Sequence, residues 1–165
     1  MKKVLSLAVI VIFVLGVFSI IAVAVGPANK ATGDVTRLRA GSVDNMWTLV
    51  FNAHEEKANR PAKGMAIAEQ VNGNGFWEIE VSCVTVVDDS TAFFGGQVID
   101  GNTTFVGQYV LLKVFDGGEP GIGVDKVFSA VADEDDFNDF CDVPEDADIR
   151  AEWDVIQGNL QVHYR

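Results

Sequence analysis

The fold is decided by residues 76–83, FWEIEVSC, near the middle of the 165-residue chain. Apolar and polar side chains alternate in this stretch, which is typical of a β-strand with one buried face and one exposed face. The side chains expected to face inward are Trp77, Ile79, Val81 and Cys83. The preceding residues 72–75, NGNG, accept positive φ and predict a tight hairpin turn before the strand.

On both sides of this strand, apolar runs alternate with turn signals at the spacing of an antiparallel sandwich or barrel. Further strands are expected near residues 35–38, 47–53, 64–71, 91–99, 103–115 and 126–132, and in a terminal hairpin of 150–156 with 160–164 across Gly158-Asn159. No run keeps a helical period over ten or more residues with caps, so helix is minor. We predict a single all-β domain, an antiparallel sandwich or barrel of eight or nine strands.

In two of these strands the alternation predicts which face is buried. Other apolar runs are interrupted by glycines. The side chains expected to share the buried faces are Trp47, Leu49, Phe51 and Ala53 in one strand, and Met65, Ile67, Glu69 and Val71 in the next. Gly95, Gly96 and Gly107 lie inside apolar runs, where a missing side chain often marks a bulge or a bend. This pattern favours a curled sheet over a flat one.

The composition narrows the classes of function. With 48% hydrophobic residues and 16 glycines, the chain is too apolar for disorder and too rich in glycine for a helical bundle. Its 24 acidic residues exceed its 12 basic ones, which gives a net charge of −12. That charge repels phosphate backbones, so we expect no nucleic-acid partner.

The amino terminus predicts export. Lys2 and Lys3 precede an uncharged apolar run over residues 4–25, and Ala22-Val23-Ala24 is a small-x-small cleavage pattern. Residues 1–24 are expected to be a signal peptide or, if uncleaved, a membrane anchor, followed by a linker over 25–32 and the β domain over 33–165. Both alternatives place the domain outside the cytoplasm, secreted or held at the cell surface. The membrane would be contacted only through this segment.

Cys83 and Cys141 are the two cysteines, and an exported chain can oxidise them. We therefore expect a disulfide that ties an acidic segment to the strand carrying Cys83. The alternative is two buried free thiols.

The acidic segment is residues 133–148, DEDDFNDFCDVPEDAD, with nine carboxylates in sixteen positions. One hypothesis is a Ca²⁺ site, because calcium takes six to eight oxygen ligands. The candidate ligands are Asp133, Asp135, Asp136 and Asp139. The alternative is a solvated acidic loop, and the spacing does not fit an EF-hand. Phe137 and Phe140 are expected to pack against the sheet in either case.

Two further groups of residues could carry chemistry. Residues 116–121, DGGEPG, form a glycine-rich loop in which Asp116 and Glu119 would repel a phosphate, so a defined turn is expected, with its carboxylates as candidate cation ligands. His54 and His163 end two strands that closure of a barrel would bring to one rim. They suit either metal or general-base chemistry, or simple hydrogen bonds that fix strand ends. No recognisable catalytic motif is present, and we assign no catalytic residue.

Four strings occur together in this sequence: residues 51–54, FNAH; 83–86, CVTV; 116–121, DGGEPG; and 158–163, GNLQVH. In order and spacing they resemble the post-COAP-1 domain of secreted bacterial and archaeal surface proteins, over residues 33–163. The resemblance implies a secreted β-rich module without an assigned enzymatic activity, and it transfers no catalytic residue. The acidic segment departs from the usual pattern of that family.

The function expected from all this is a structural or interaction role outside the cytoplasm, with another surface protein or a glycan as partner. One alternative is a calcium-stabilised adhesion or carbohydrate-binding module. Another is a small barrel that binds, or acts on, an apolar molecule in an interior lined by phenylalanines and Tyr109.

Overall fold

A computed structural model describes residues 29–39, 45–57, 61–102, 104–119 and 121–165. Eight antiparallel strands form a closed barrel in which each strand pairs with the next and the last pairs with the first. The strands are β1 (Lys30–Arg39), β2 (Met46–His54), β3 (Lys63–Gln70), β4 (Phe76–Val86), β5 (Thr91–Gly101), β6 (Tyr109–Phe115), β7 (Lys126–Ala132) and β8 (Ala151–His163). Between β7 and β8 lie a helix, α1 (Glu134–Asp142), and a 3₁₀ turn, Pro144–Asp146. The all-β prediction is confirmed, and the architecture is the barrel rather than the sandwich.

The barrel closes through the pairing of β1 with β8. The register runs from Lys30 opposite His163 to Arg39 opposite Trp153. It shifts between Thr36 and Arg37, where Ile156 is the extra residue of a bulge in β8. This bulge lets β8 follow the curvature of the barrel wall. On both sides of the bulge, the inward residues of β8 stay opposite the inward residues of β1.

Large and small side chains complement one another inside the barrel. Phe51 and Phe94 stack across the interior with ring centroids 4.9 Å apart. Gly33 is what admits Phe51, because a Cβ atom at position 33 would overlap the Phe51 ring. On β3 the buried residues are Ala66 and Ala68. Side chains therefore fill the interior, and aromatic rings occupy the space that small residues leave.

This packing corrects the predicted face of β3. Met65 and Glu69 are exposed and Ile67 is half-buried, so the face expected to be inward points outward. The alternation pattern assigned the larger apolar residues of β3 to the core. The strand buries alanines instead, because Phe51 on β2 lies directly opposite Ala66.

Cys83 also faces outward, contrary to the alternation of residues 76–83. The pairing of β4 with β5 shifts between Val81 and Cys83, which leaves Ser82 as the extra residue. Val81 and Val84 both belong to the interior cluster, whereas Cys83 belongs to a second cluster on the outside of the wall. One bulge residue thus reverses the direction of the cysteine.

The outer cluster lies beneath α1. Phe137 stacks on Tyr109 with centroids 4.4 Å apart, and Phe140 meets the edge of Phe93 at 6.3 Å. Cys141 forms the predicted disulfide with Cys83, their Cα atoms 5.7 Å apart and 58 residues apart in sequence. In the chain-entropy model a crosslink of this span stabilises a fold by roughly 3 to 4 kcal/mol. The predicted packing of both phenylalanines is confirmed.

The acidic segment is a helix rather than a loop. Asp133 caps it, because the Asp133 Oδ1 accepts a hydrogen bond of 3.0 Å from the backbone N–H of Asp136. Acidic residues occupy the first turn, where their negative charges interact favourably with the positive end of the helix dipole. The three-residue spacing of Phe137 and Phe140 gives a single apolar face, too short a periodic pattern to be recognised in the sequence.

Three strand boundaries also differ from expectation. β1 begins at Lys30, inside the stretch expected to be linker, and β6 begins at Tyr109 rather than at residue 103. The expected terminal hairpin is one strand of 13 residues. Gly158 has φ +87 but lies in the ladder opposite Val35, where a Cβ atom would overlap the Asp34 carbonyl oxygen. A glycine is required at this position because the backbones of β1 and β8 approach closely there, and not because the chain turns.

The expected signal or anchor, residues 1–24, lies outside the described residues, as does the first half of the expected linker, residues 25–28. In the part of the chain that the structure describes, no helix combines the length and apolar character needed to span a bilayer.

Shortening Phe94 to alanine should test the filled interior. Phe94→Ala removes a fully buried ring from the stack with Phe51 and is expected to cost about 3 to 5 kcal/mol of unfolding free energy. Phe115→Ala is the matched control, since Phe115 is 39% exposed, and it should cost about 1 kcal/mol or less. Urea unfolding measures both. Equal losses for the two variants would show that the interior is not packed as described.

Candidate functional site

The barrel has two ends that differ in chemistry. At one end, which we call the tryptophan end, lie the connections 71–75 and 102–108 and the first residues of β2, β4 and β8. At the other, the loop end, lie the connections 87–90 and 116–125 and the last residues of β2 and β8. Each end holds one buried charged residue, Arg37 and Asp125 respectively.

Arg37 points into the barrel at the tryptophan end. It follows Ala31, Gly33 and Val35 on the inward face of β1 and is 1% exposed. Its guanidinium carbon lies 4.6 Å from the centroid of the Trp153 ring, a cation–π contact. Burial lowers the pKa of Arg37 to about 9, so the side chain is still cationic at neutral pH.

The Arg37 guanidinium lacks polar partners. Its Nε and Nη1 are buried and have no hydrogen-bond acceptor among the described residues. Ion pairs lie elsewhere in the described chain, where Lys126 contacts Glu152 and Asp154, and Arg150 contacts Asp148. A buried polar group without a partner is uncommon in folded proteins, so this position requires an explanation.

Two further tryptophans lie at the end of the barrel that holds Arg37 and Trp153. Trp47 lies opposite Arg37 on β2, and the Trp47 and Trp77 rings are 6.1 Å apart. The Trp47 Nε1 donates to Asn45 Oδ1 at 2.8 Å, and the Trp153 Nε1 donates to Ser129 Oγ at 2.9 Å. With their indole N–H groups satisfied, the rings present apolar surface near the arginine.

At the loop end, carboxylates hold the connection between β6 and β7 against β8. Asp125 is fully buried. Its Oδ1 accepts from the backbone N–H of Gly117 at 2.9 Å, and its Oδ2 accepts from that of Leu160 at 3.1 Å. The Asp116 Oδ2 accepts from the backbone N–H of Val162 at 3.1 Å. These bonds hold Asp116, Gly117 and Asp125 in place beside β8.

The other predicted residue of this loop, Glu119, is exposed and accepts a hydrogen bond of 2.7 Å from Asn159 Nδ2. Burial raises the pKa of Asp125, and the negative charges of Asp116 and Glu119 raise it further, whereas its two backbone hydrogen bonds lower it. All three carboxylates thus accept hydrogen bonds, from β8 or from the loop between β6 and β7, and so fix this loop against β8.

The candidate calcium ligands lie on the first turns of α1. Asp133 is used as the helix cap, and Asp135, Asp136 and Asp139 are exposed. Within the described ranges, no group of three or more His, Cys, Asp or Glu side chains is placed to hold a metal ion. Three of these carboxylates, Asp133, Asp136 and Asp139, line open grooves beside β6 and β7.

The two histidines reach one rim, as closure of the barrel predicts. His54 and His163 both lie opposite Lys30, on the two sides of β1. Lys30 is the residue between them on the sheet, and a cationic residue in that position disfavours a shared metal ion. The arrangement favours a role at the strand ends over a metal centre.

Comparisons of the chain with protein-family models, with curated proteins and with solved structures found no match. The resemblance to the post-COAP-1 domain therefore stays a prediction from the four short strings.

The sequence analysis did not predict that Arg37 and Asp125 are buried. For Arg37 a signal existed, because it lies in phase with Val35 on an alternating strand, where a polar residue on the buried face is unusual. Asp125 gave a weaker signal, since acidic residues are ordinary in glycine-rich turns.

Asp125→Asn should reveal the raised pKa of this carboxyl as a pH-dependent stability difference. Because the folded-state pKa lies above the ordinary value, the folded protein takes up this proton first as pH falls. Wild type should therefore gain stability relative to Asp125→Asn between neutral pH and the ordinary carboxyl pKa, near 4. At neutral pH the variant should be about 1 to 3 kcal/mol less stable, because an amide cannot accept both backbone hydrogen bonds.

Chemical unfolding of both proteins over this pH range measures the difference. The other carboxylates titrate in both proteins, so their contributions to the stability difference cancel to first order. A difference that stays constant, or narrows as the pH falls, would contradict the placement of Asp125.

Proposed function

We propose that this chain is an exported, extracytoplasmic β-barrel domain with a structural or interaction role and no reaction of its own. The observation that carries the proposal is that both faces of the barrel wall are used for packing: side chains fill the interior, and a disulfide-anchored helix covers part of the outside. Such an arrangement supports a rigid module rather than a reaction chamber.

The disulfide supports the location. Structural disulfides persist in oxidising compartments and are rare in the cytosol. Cys83 and Cys141 join α1 to β4 and secure the outer cluster, so the bond belongs to the folded architecture. This fits the export expected from residues 1–24 and a surface protein or glycan as partner.

The filled interior argues against the alternative of an apolar ligand inside the barrel. Phe51 and Phe94 occupy the interior with each other, and the interior side chains around them are buried. Tyr109, which was expected to line such a pocket, instead stacks on Phe137 beneath the helix on the outside. A ligand would have to displace well-packed rings.

The geometry also gives little support to a calcium-stabilised module. Asp133 already serves the backbone of α1, and its neighbours point into solvent. A melting temperature raised by millimolar calcium and lowered by chelator would nevertheless favour that alternative, because ligand bound to the native state stabilises it.

Export can be tested with the complete chain in a bacterial host that has an oxidising periplasm. We expect protein outside the cytoplasm, either shortened by about 24 residues or attached to the membrane. Thiol titration after denaturation should find Cys83 and Cys141 oxidised. The control lacks residues 2–24 and should stay in the cytosol with both thiols reduced. Complete chain recovered from the cytosol with two free thiols would refute the proposal.

A further inference from the structure

Arg37 combines a buried positive charge with unused hydrogen-bond donors. The side chain is 1% exposed, and Nε and Nη1 meet no acceptor in the described part of the chain. Removing a cation from water without a counter-ion consumes a large part of the net stability of a protein this size. The contact with Trp153 offsets some of that cost but supplies no hydrogen-bond acceptor.

The missing partner must be a hydrogen-bond acceptor, because arginine has donors and no acceptor. An anion is the acceptor that also supplies the missing counter-charge. The planar fork of arginine suits oxyanions and other anions that can lie in the guanidinium plane. The whole chain carries a net charge of −12, so its overall charge repels anions. Binding would therefore depend on the local geometry of Arg37 and not on long-range steering.

The surroundings limit the charge and the size of this anion. One guanidinium balances one negative charge, and a divalent anion would leave an excess charge buried among tryptophans. Arg37 is almost completely buried, so only a group of a few atoms is compatible with a place beside it. A halide ion or a formate-sized carboxylate satisfies both limits.

We propose that Arg37, between Trp153 and Trp47 at the tryptophan end, forms a buried binding site for one small monovalent anion. The site is formed by the guanidinium edge that bears Nε and Nη1, with the indole rings as walls. The anion supplies the counter-charge that the barrel interior lacks, and the site is independent of any reaction or of the proposed surface role.

The thermal midpoint of the complete wild-type domain tests this without any substitution. Melting is measured in sodium chloride, bromide or formate against sodium gluconate at equal ionic strength, because gluconate carries the same charge but is too large. We expect a saturable rise in Tm of about 3 °C or more with the small anions. A Tm that is the same in chloride and gluconate would overturn the site.

Arg37→Met should abolish this anion dependence, because it replaces the guanidinium with an apolar side chain of similar length. Arg165→Met is the matched control: it removes the same charge from an exposed position at the loop end and should keep the wild-type response. A response that persists in Arg37→Met would place the anion elsewhere and refute the proposal.

An internal ion pair is the rival explanation. Asp34, the carboxylate nearest in sequence, is exposed, and the next nearest is Asp44, outside the described residues. Asp44→Asn should leave the anion response unchanged if an external anion is the partner. If wild type shows no anion response and Asp44→Asn loses as much stability as Arg37→Met, the counter-charge is internal and the proposal fails. A bromide soak gives a direct readout, because the anomalous signal should lie within hydrogen-bond distance of Arg37 Nε or Nη1. Bromide peaks confined to the protein surface would contradict it.

Discussion

The pairing of β1 with β8 is the constraint on which the rest of the structure depends. Without it, β1 and β8 would be edge strands with unpaired backbone groups, and the sheet would be open to solvent on its concave face. With it, the inward face of every strand becomes interior, and a polar residue on that face has no access to bulk water. The buried position of Arg37 is a direct consequence of closure.

Closure also sets what can fill the interior. An eight-stranded barrel leaves a lumen just wide enough for side chains, so rings from β2 and β5 need small residues on neighbouring strands. The bulges in β4 and β8 absorb the curvature. The first of these turns Cys83 outward and makes the disulfide to α1 possible. Inner packing and outer packing are thus linked through one irregular residue, Ser82.

Alternation was sufficient to predict the fold class, several strands and the apolar face of residues 47–53, because a half-buried strand imposes a period of two. It failed where the regular period is broken. Ser82 displaces Cys83 by one position, and β3 buries alanines because of a ring on the strand beside it. These outcomes depend on cross-strand neighbours, which a local pattern does not contain. The disulfide was predictable from the count of two cysteines and the expectation of export.

For the candidate sites too, some features were predictable from the sequence and others depended on contacts between distant residues. The histidines reach one rim because closure follows from topology. The connection between β6 and β7 is held to β8 because Asp116 and Asp125 accept hydrogen bonds from backbone N–H groups of β8. The conversion of the acidic segment into a capped helix depends on the outer cluster, which forms only when Tyr109 and Phe93 are brought together by the sheet. Arg37 became a candidate only when its lack of partners could be seen in three dimensions.

The measurement that tests closure most directly is the detection of cross-strand nuclear Overhauser effects in the labelled domain. The structure predicts backbone contacts between Gly33 and Leu160 and between Ala31 and Val162, as strong as those that join β4 to β5. Contacts between β4 and β5 without any between β1 and β8 would show an open sheet, and the account of the interior given above would then be wrong.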